Sequence, residues 1–286
     1  MNKKYLAICG IVVVLVLAIG VVAYENGIKS TTDQPKLYVV ATSTDISDIV
    51  KEVGGDKVYV ESIIPPGQCP GHFDIKPQTL ETLKNAQLFL RHDYDSQKFS
   101  DELVKSSGNN NVSSVTVGAN NATFMVPQMR LMGIDNVTTA LVQADPQNAD
   151  YFKKRAETLK TETNNTAGEQ KKRLSDNGAN KTKVIVALYQ SGFAKWAGFE
   201  VVATYPPDIS LEEIKNLVEK GRQQGAQLVI DNLQSPDSSA ANSISSELGI
   251  PVVTLSNYPG GISGTDTWAN SFSKNVDLIL EQLKKK

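Results

Sequence analysis

Few side chains in this sequence can do chemistry. Histidine occurs twice, at His72 and His92, and cysteine twice, at Cys9 and Cys69. Two imidazoles exclude any site built from three histidines. Cys9 lies inside an uncharged N-terminal run, so the body keeps one thiol, Cys69, and no internal disulfide. Cys69 and His72 stand three apart in Cys-Pro-Gly-His, where glycine gives the backbone freedom to turn both inward. An imidazole ligates zinc and its neighbours, and a thiolate favours zinc, cobalt, nickel or copper(I) over manganese. A small buried thiol and a loop histidine bonded to backbone are the competing roles. His92-Asp93-Tyr94-Asp95 follows a strand end, where ligand-facing loops of α/β sheets gather; it reads as cleft lining or, better, as a polar rim.

Catalytic signatures are missing. There is no G-x-S-x-G, Walker loop, H-E-x-x-H or dinucleotide fingerprint. Gly260-Gly261-Ile262-Ser263-Gly264 is glycine-rich, but no lysine follows before Lys274, so a flexible cleft loop suits it better than a phosphate cradle. The chain is expected not to be an enzyme.

Its 286 residues suffice for two lobes of ordinary size. The formal charge is −2, and removing Lys3 and Lys4 with residues 1–24 leaves 27 basic against 31 acidic residues, −4. A mildly acidic body offers no electrostatic footprint for nucleic acid.

Tyr5 to Tyr24 form an uncharged, almost wholly apolar stretch. As a helix, twenty residues span about 30 Å, the thickness of a bilayer core. Lys3 and Lys4 precede it, which places the body outside the cell membrane. Residues 1–24 therefore read as a membrane anchor, or as a signal peptide cleaved after Val21-Val22-Ala23 and releasing a secreted body. Ile8 before Cys9 is not small, so Cys9 reads as a membrane-buried residue and not a lipidation site. Asn-X-Ser/Thr sequons at Asn111, Asn121, Asn136, Asn164 and Asn180 fit an exported, glycosylated surface or simply an Asn-rich chain.

The elements that must position this chemistry alternate. Residues 25–36 are a polar tether. Strands are expected at 37–41, 58–64 and 88–90, with helices at 44–53 and 77–86. Later, 184–188, 200–203, 228–230 and 252–255 read as strands. Helices follow Ser210, whose spacing to Glu213 makes a capping box, and span 235–248 and 267–283. The fold class is α/β: two lobes, 37–144 and 181–286, each a mostly parallel sheet flanked by helices. Between them, 145–180 is a polar spine helix and linker, with Asp145 as N-cap, Pro146 at the first helical position, and Tyr151, Phe152, Ala156 and Leu159 as a narrow stripe.

The order of these pieces resembles the zinc/manganese-type metal-binding solute receptors of ABC importers. The likeness runs from about Leu37 to Leu283. It is carried by VVATSTDISDIVKEVGGDKVYVESIIPPG, CPGHFDIKPQTLETLKNAQLFL, ADPQNADYFKK, SGFAKWAGFEV, LVIDNLQSP and GTDTWANSFSKNVDLI. It implies two lobes holding one ion, delivered to a membrane permease driven by its ATPase.

The implied ligand set is altered here. The family's P-H-x-Y/F-E/D-x-x-P pattern meets Pro70, Gly71, His72, Phe73, Asp74 and Pro77, so the histidine falls one residue late. The second and third ligand positions hold Gln128 and Gln190, which are neutral, and the fourth holds Asp266. His72 and Asp266 are the metal ligands the resemblance implies; the residues themselves add Cys69 as a third, and Asp266 could instead cap the last helix. Zinc is the expected cargo, with manganese, nickel or cobalt as alternatives. A chelated metal or small organometallic is the second reading: His72 would supply one ligand, Gln128, Gln190 and His92 polar contacts, and Tyr189, Trp268, Trp196, Phe73 and Tyr94 apolar walls. A surface adhesion protein reusing the fold is the third.

Overall fold

The computed structural model describes residues 36–68, 73–95, 97–118, 122–236 and 238–284. The N-terminal apolar run and all but the last residue of the tether lie outside them. Among the described residues no helix is long and apolar enough to cross a membrane. From Lys36 onward the chain forms one compact unit.

The first sheet has the order β2-β1-β3-β4: β1 Leu37–Ala41, β2 Val58–Ser62, β3 Leu88–Arg91 and β4 Ser113–Thr116, all parallel. Alternation along β1 decides its packing. Leu37, Val39 and Ala41 join the core under α1 (Thr44–Gly54), α4 (Pro127–Ala144) and α5 (Ala149–Asp176). Tyr38 and Val40 face the other way, onto Leu83 and Leu103 of α2 (Pro77–Lys84) and α3 (Gln97–Ser107).

The second sheet repeats the plan in the order β6-β5-β7-β8: β5 Lys183–Ala187, β6 Glu200–Tyr205, β7 Leu228–Asn232 and β8 Val252–Leu255, again parallel. One face packs on α5, α6 (Ser191–Ala197) and α9 (Trp268–Leu283), the other on α7 (Leu211–Gln224) and α8 (Ser239–Leu248). The expected α/β fold of two parallel-sheet lobes joined by a long helix is the one observed.

Helix α5 is that joining helix, 28 residues long. Its buried residues are Phe152, Ala156, Leu159, Thr163, Ala167, Gln170 and Leu174, one line at three- and four-residue spacing. Phe152, Ala156 and Leu159 belong to the first core; Ala167 and Leu174 belong to the second. The stripe read from the sequence therefore continues further than its four expected members.

Several local expectations need correction. Asp145 is the C-cap of α4, not the N-cap of the spine; Pro146–Asn148 make a 3₁₀ turn and α5 starts at Ala149. Proline lacks the N–H needed to continue α4, so the chain breaks and restarts there. Helices α3, α4 and α6 and strand β4 were not anticipated. In α4 the buried residues include Ile134, Val137, Ala140, Leu141 and also Arg130 and Thr138, so no single apolar face stands out. The capping box is present: Ser210 Oγ accepts from Glu213 N at 3.3 Å, and Ser210 N donates to Glu213 Oε2 at 2.8 Å. Of the sequon asparagines, Asn111, Asn136, Asn164 and Asn180 are exposed and Asn121 lies outside the described residues.

Candidate functional site

The loops following the strands' C-terminal ends meet where the two lobes join. After β1, Thr44 Oγ1 donates to Pro259 O at 2.7 Å. After β2, Pro66 O accepts from Gln234 Nε2 at 2.8 Å. Gly260 lies beside Pro66: a Cβ there would sit 3.3 Å from Pro66 Cγ and 3.9 Å from Asp266 Oδ1. Gly260 has φ +82°, so glycine is favoured there on backbone grounds as well. Asp266 is exposed at this meeting point. Of the post-β2 loop, residues 63–68 and 73–76 are described; Cys69 and His72 lie outside the described residues.

The glycine-rich loop is less free than expected. Gly260 N donates to Thr265 O at 2.6 Å, and a Cβ on Gly261 would fall 2.2 Å from Ser256 Oγ. It is a closed, tightly seated turn. The last helix is capped by Thr267, whose side chain accepts from Asn270 N at 3.3 Å, so Asp266 does not serve as that cap.

A second contact joins the other two candidate positions. Val126 stands two residues before Gln128, and Gly192 two residues after Gln190. A Cβ on Gly192 would lie 3.0 Å from Val126 Cγ2. Gln128 is exposed on the first turn of α4. Gln190 is fully buried. Its Nε2 donates to Asn232 Oδ1 at 3.1 Å, Leu255 O at 3.2 Å and Asn257 Oδ1 at 3.1 Å. Three acceptors fix the amide's orientation and leave Oε1 buried with no protein partner.

The first lobe carries a buried ionic cluster. His92 Nε2 lies 3.0 Å from Asp45 Oδ2, and neither residue is exposed. Burial opposes the charge on both. The His92 ring nevertheless holds Asp45 below the usual carboxylate range, helped by Ser43 and the Ile46 N–H, and Asp45 holds His92 above the usual imidazole range. The neighbouring Asp95 accepts from Thr42 Oγ1 and from His92 N; burial pushes its carboxyl up. Tyr94 stacks on His92 with ring centres 4.4 Å apart, and its hydroxyl lies 3.3 Å from that of Tyr258 in the other lobe. His92 is thus a buried, paired residue and not the rim expected of a strand-end loop. The signal for it was available: Asp45 lies one turn before Ile49 on a helix whose apolar positions are all buried.

Trp268 joins the lobes too. Its backbone N donates to Asp48 Oδ1 at 3.2 Å and its indole Nε1 to Phe124 O at 2.8 Å. Arg130 stacks 4.6 Å from the ring centre and donates through Nη2 to Asp48 Oδ2 at 2.8 Å. Burial lowers the Arg130 pKa against the attraction of Asp48. A cavity of about 150 Å³ lies alongside, lined by Glu52, Glu162, Thr163 and Thr267 among others. Trp268 is therefore packed between the lobes, and with Asp48 and Arg130 it lines this cavity. Tyr189, by contrast, is 48% exposed beside Gln190. Phe73 lies edge-on to Phe99, and Trp196 packs on Phe193 and Phe272 as ordinary core.

Sequence reasoning missed Asp48, Arg130, Gln234 and Asn257, polar residues whose partners are remote in the chain. Among the described residues no group of three or more His, Cys, Asp or Glu is placed to hold a metal.

Residues 39–282 match the family described as ZnuA, zinc-uptake complex component A, periplasmic. A Streptococcus anginosus protein named manganese ABC transporter substrate-binding lipoprotein PsaA is 26% identical over 312 residues, covering 96% of this chain and 99% of that protein. In fold, the chain is similar to the periplasmic zinc-binding protein TroA from Treponema pallidum (TM-score 0.73, 17% identity, 87% of this chain and 99% of that one). It is also similar to the SBP FpvC in complex with Ni2+ from P. aeruginosa (TM-score 0.74, 16% identity, 87% of this chain and 97% of that one).

Proposed function

The chain belongs to the family of zinc-uptake complex component A, and on that premise we propose that it is the extracytoplasmic binding component of an ABC importer, taking a transition-metal ion at the lobe junction and passing it to a membrane permease and its ATPase. The observation that carries this reading is the meeting of Pro66, Gly260 and Asp266: the carboxylate of one lobe stands beside the loop of the other that continues into Cys69 and His72. Both lobes then contact the cargo, and a permease can distinguish loaded from empty protein by the shape of that junction.

Zinc is the cargo we propose. The relatives named above bind manganese, zinc or nickel by their own descriptions, so membership alone does not choose. The residue types do: one imidazole, one thiol and one carboxylate form a borderline-soft set that suits zinc. Metal analysis of protein purified without chelator tests this directly. Thermal shifts with zinc, manganese, nickel and cobalt give the ranking, since an ion that binds only the folded state raises its stability. No shift with any of them sinks the reading.

A chelated metal is the second reading, favoured by one observation. Gln190 presents a neutral, orientation-locked amide with a buried unpartnered oxygen where an anionic ligand would bind a bare ion. Such an oxygen accepts from a metal-bound water or from a chelator's N–H. Binding of zinc–histidine complex at higher affinity than zinc alone would select it.

We also propose that residues 5–24 tether the body outside the membrane. The Streptococcus relative is named a lipoprotein, which makes Cys9 the competing attachment point. Cys9→Ser should remain in the membrane fraction if the apolar run is the anchor.

A further inference from the structure

We infer that Trp268, held by Asp48 and Arg130, is the positioning residue of Asp266. The inference rests on the reading of Asp266 as a metal ligand.

Helix α9 belongs to the second lobe, where Phe272, Val276 and Ile279 pack in its core. Its first residue, however, is bound by the first lobe at three points. Asp48 of α1 takes the Trp268 N–H, Phe124 O takes the indole N–H, and the guanidinium of Arg130 covers the ring. Asp48 splits its two oxygens between Trp268 and Arg130, and all three side chains are buried. Upstream, Thr44 binds Pro259 and Gly260 abuts Pro66. The segment 259–268 is thus fastened to the first lobe at both ends, with Asp266 two residues from the downstream fastening.

The consequence is mechanical. Asp266 is joined by sequence to the second lobe but held in register with the post-β2 loop by the first. Gln190 differs: all three acceptors of its Nε2 lie in the second lobe. Asp266 is thereby tied to the first lobe on both sides, whereas the Gln190 amide is oriented from within the second lobe. A contact meant only to join the lobes would serve anywhere on α9; this one fixes the backbone N–H of the helix's first residue, which sets the exit direction of Asp266. Displacing a ligand by even a fraction of an ångström weakens coordination, so the clasp tunes affinity.

The test uses the full chain and zinc ion alone, in competition with a chromophoric chelator. Trp268→Phe keeps a ring over Arg130 and loses the indole donor. It should weaken zinc binding by about tenfold, on the order of one buried hydrogen bond, and cause no further loss when combined with Asp266→Asn. Asp48→Asn, which keeps an acceptor for the Trp268 N–H, should lose less than Asp48→Ala. Parent-like affinity in Trp268→Phe, an equal loss with and without Asp266→Asn, or equal losses in Asp48→Asn and Asp48→Ala would overturn the inference. If Asp266→Asn alone binds zinc like the parent, the site assignment itself fails, and that outcome is separate from the others.

Discussion

Asp45 and His92 face each other at 3.0 Å with no solvent contact at either side chain. They sit on α1 and after β3, so the pair ties a helix to the sheet beneath it at the edge where the two lobes meet. A paired charge here is stabilising only while both partners are ionised, and removing one leaves the other buried alone.

The pH dependence follows from the two shifts. His92 has a raised folded pKa, so its contribution is complete below the ordinary imidazole value near 6.5 and declines as pH rises through the folded value. Asp45 has a lowered folded pKa, so its contribution is complete above the ordinary value near 3.8 and declines as pH falls through the folded value. Stability from the pair should therefore peak between these limits. His92→Gln should flatten the decline in urea-unfolding free energy as pH rises above about 6.5. Asp45→Ala should cost about 3–5 kcal/mol at neutral pH. An unchanged alkaline slope in His92→Gln would exclude the pair as its source.

Asp266 is exposed and makes no helix cap, so its removal should leave the fold intact. Asp266→Ala should lower zinc affinity by about tenfold or more, as loss of one ligand of a small set, while shifting the metal-free Tm by less than about 2 °C. Calorimetric titration beside a thermal scan separates the two quantities.

Gln190→Glu tests what the amide does. A carboxylate there would face three acceptor oxygens that now receive Nε2 hydrogens. The metal-free protein should lose about 2–4 kcal/mol from those unmade bonds. Zinc should then raise its Tm by more than it raises the parent's, because an added negative charge favours the cation. A smaller zinc shift than the parent's would remove Gln190 from the site.

The spine helix enters both cores, through Phe152 in one and Leu174 in the other. Phe152→Ala should cost about 3–5 kcal/mol and Leu174→Ala about 2–5 kcal/mol. Since one helix stiffens both lobes, each variant should still unfold in a single transition by circular dichroism and by tryptophan fluorescence. Two separated transitions in either variant would show that the lobes are stabilised independently.

Periodicity was enough to make the two-lobed α/β plan legible. Alternating β-branched runs, the Ser210 capping box and the first part of the Phe152 stripe are local patterns, and local patterns survive without knowledge of neighbours. The family's motif order was legible for the same reason, since it is a matter of sequence spacing. What sequence spacing could not express is which distant side chains meet. Asp48 and Trp268 are 220 residues apart, Thr44 and Pro259 are 215 apart, and Gln190 chooses acceptors on two other strands. Helix α4 escaped notice because its buried face carries Arg130 and Thr138 while Met132 stands exposed, so no clean apolar stripe shows in the sequence. Residue types thus determined the fold class and the stock of possible ligands. Only tertiary packing decided that His92 is spent on Asp45, that Trp268 clasps the opposite lobe, and that Asp266 stands beside the loop leading to Cys69 and His72, because each depends on pairing energies between segments the chain brings together only once folded.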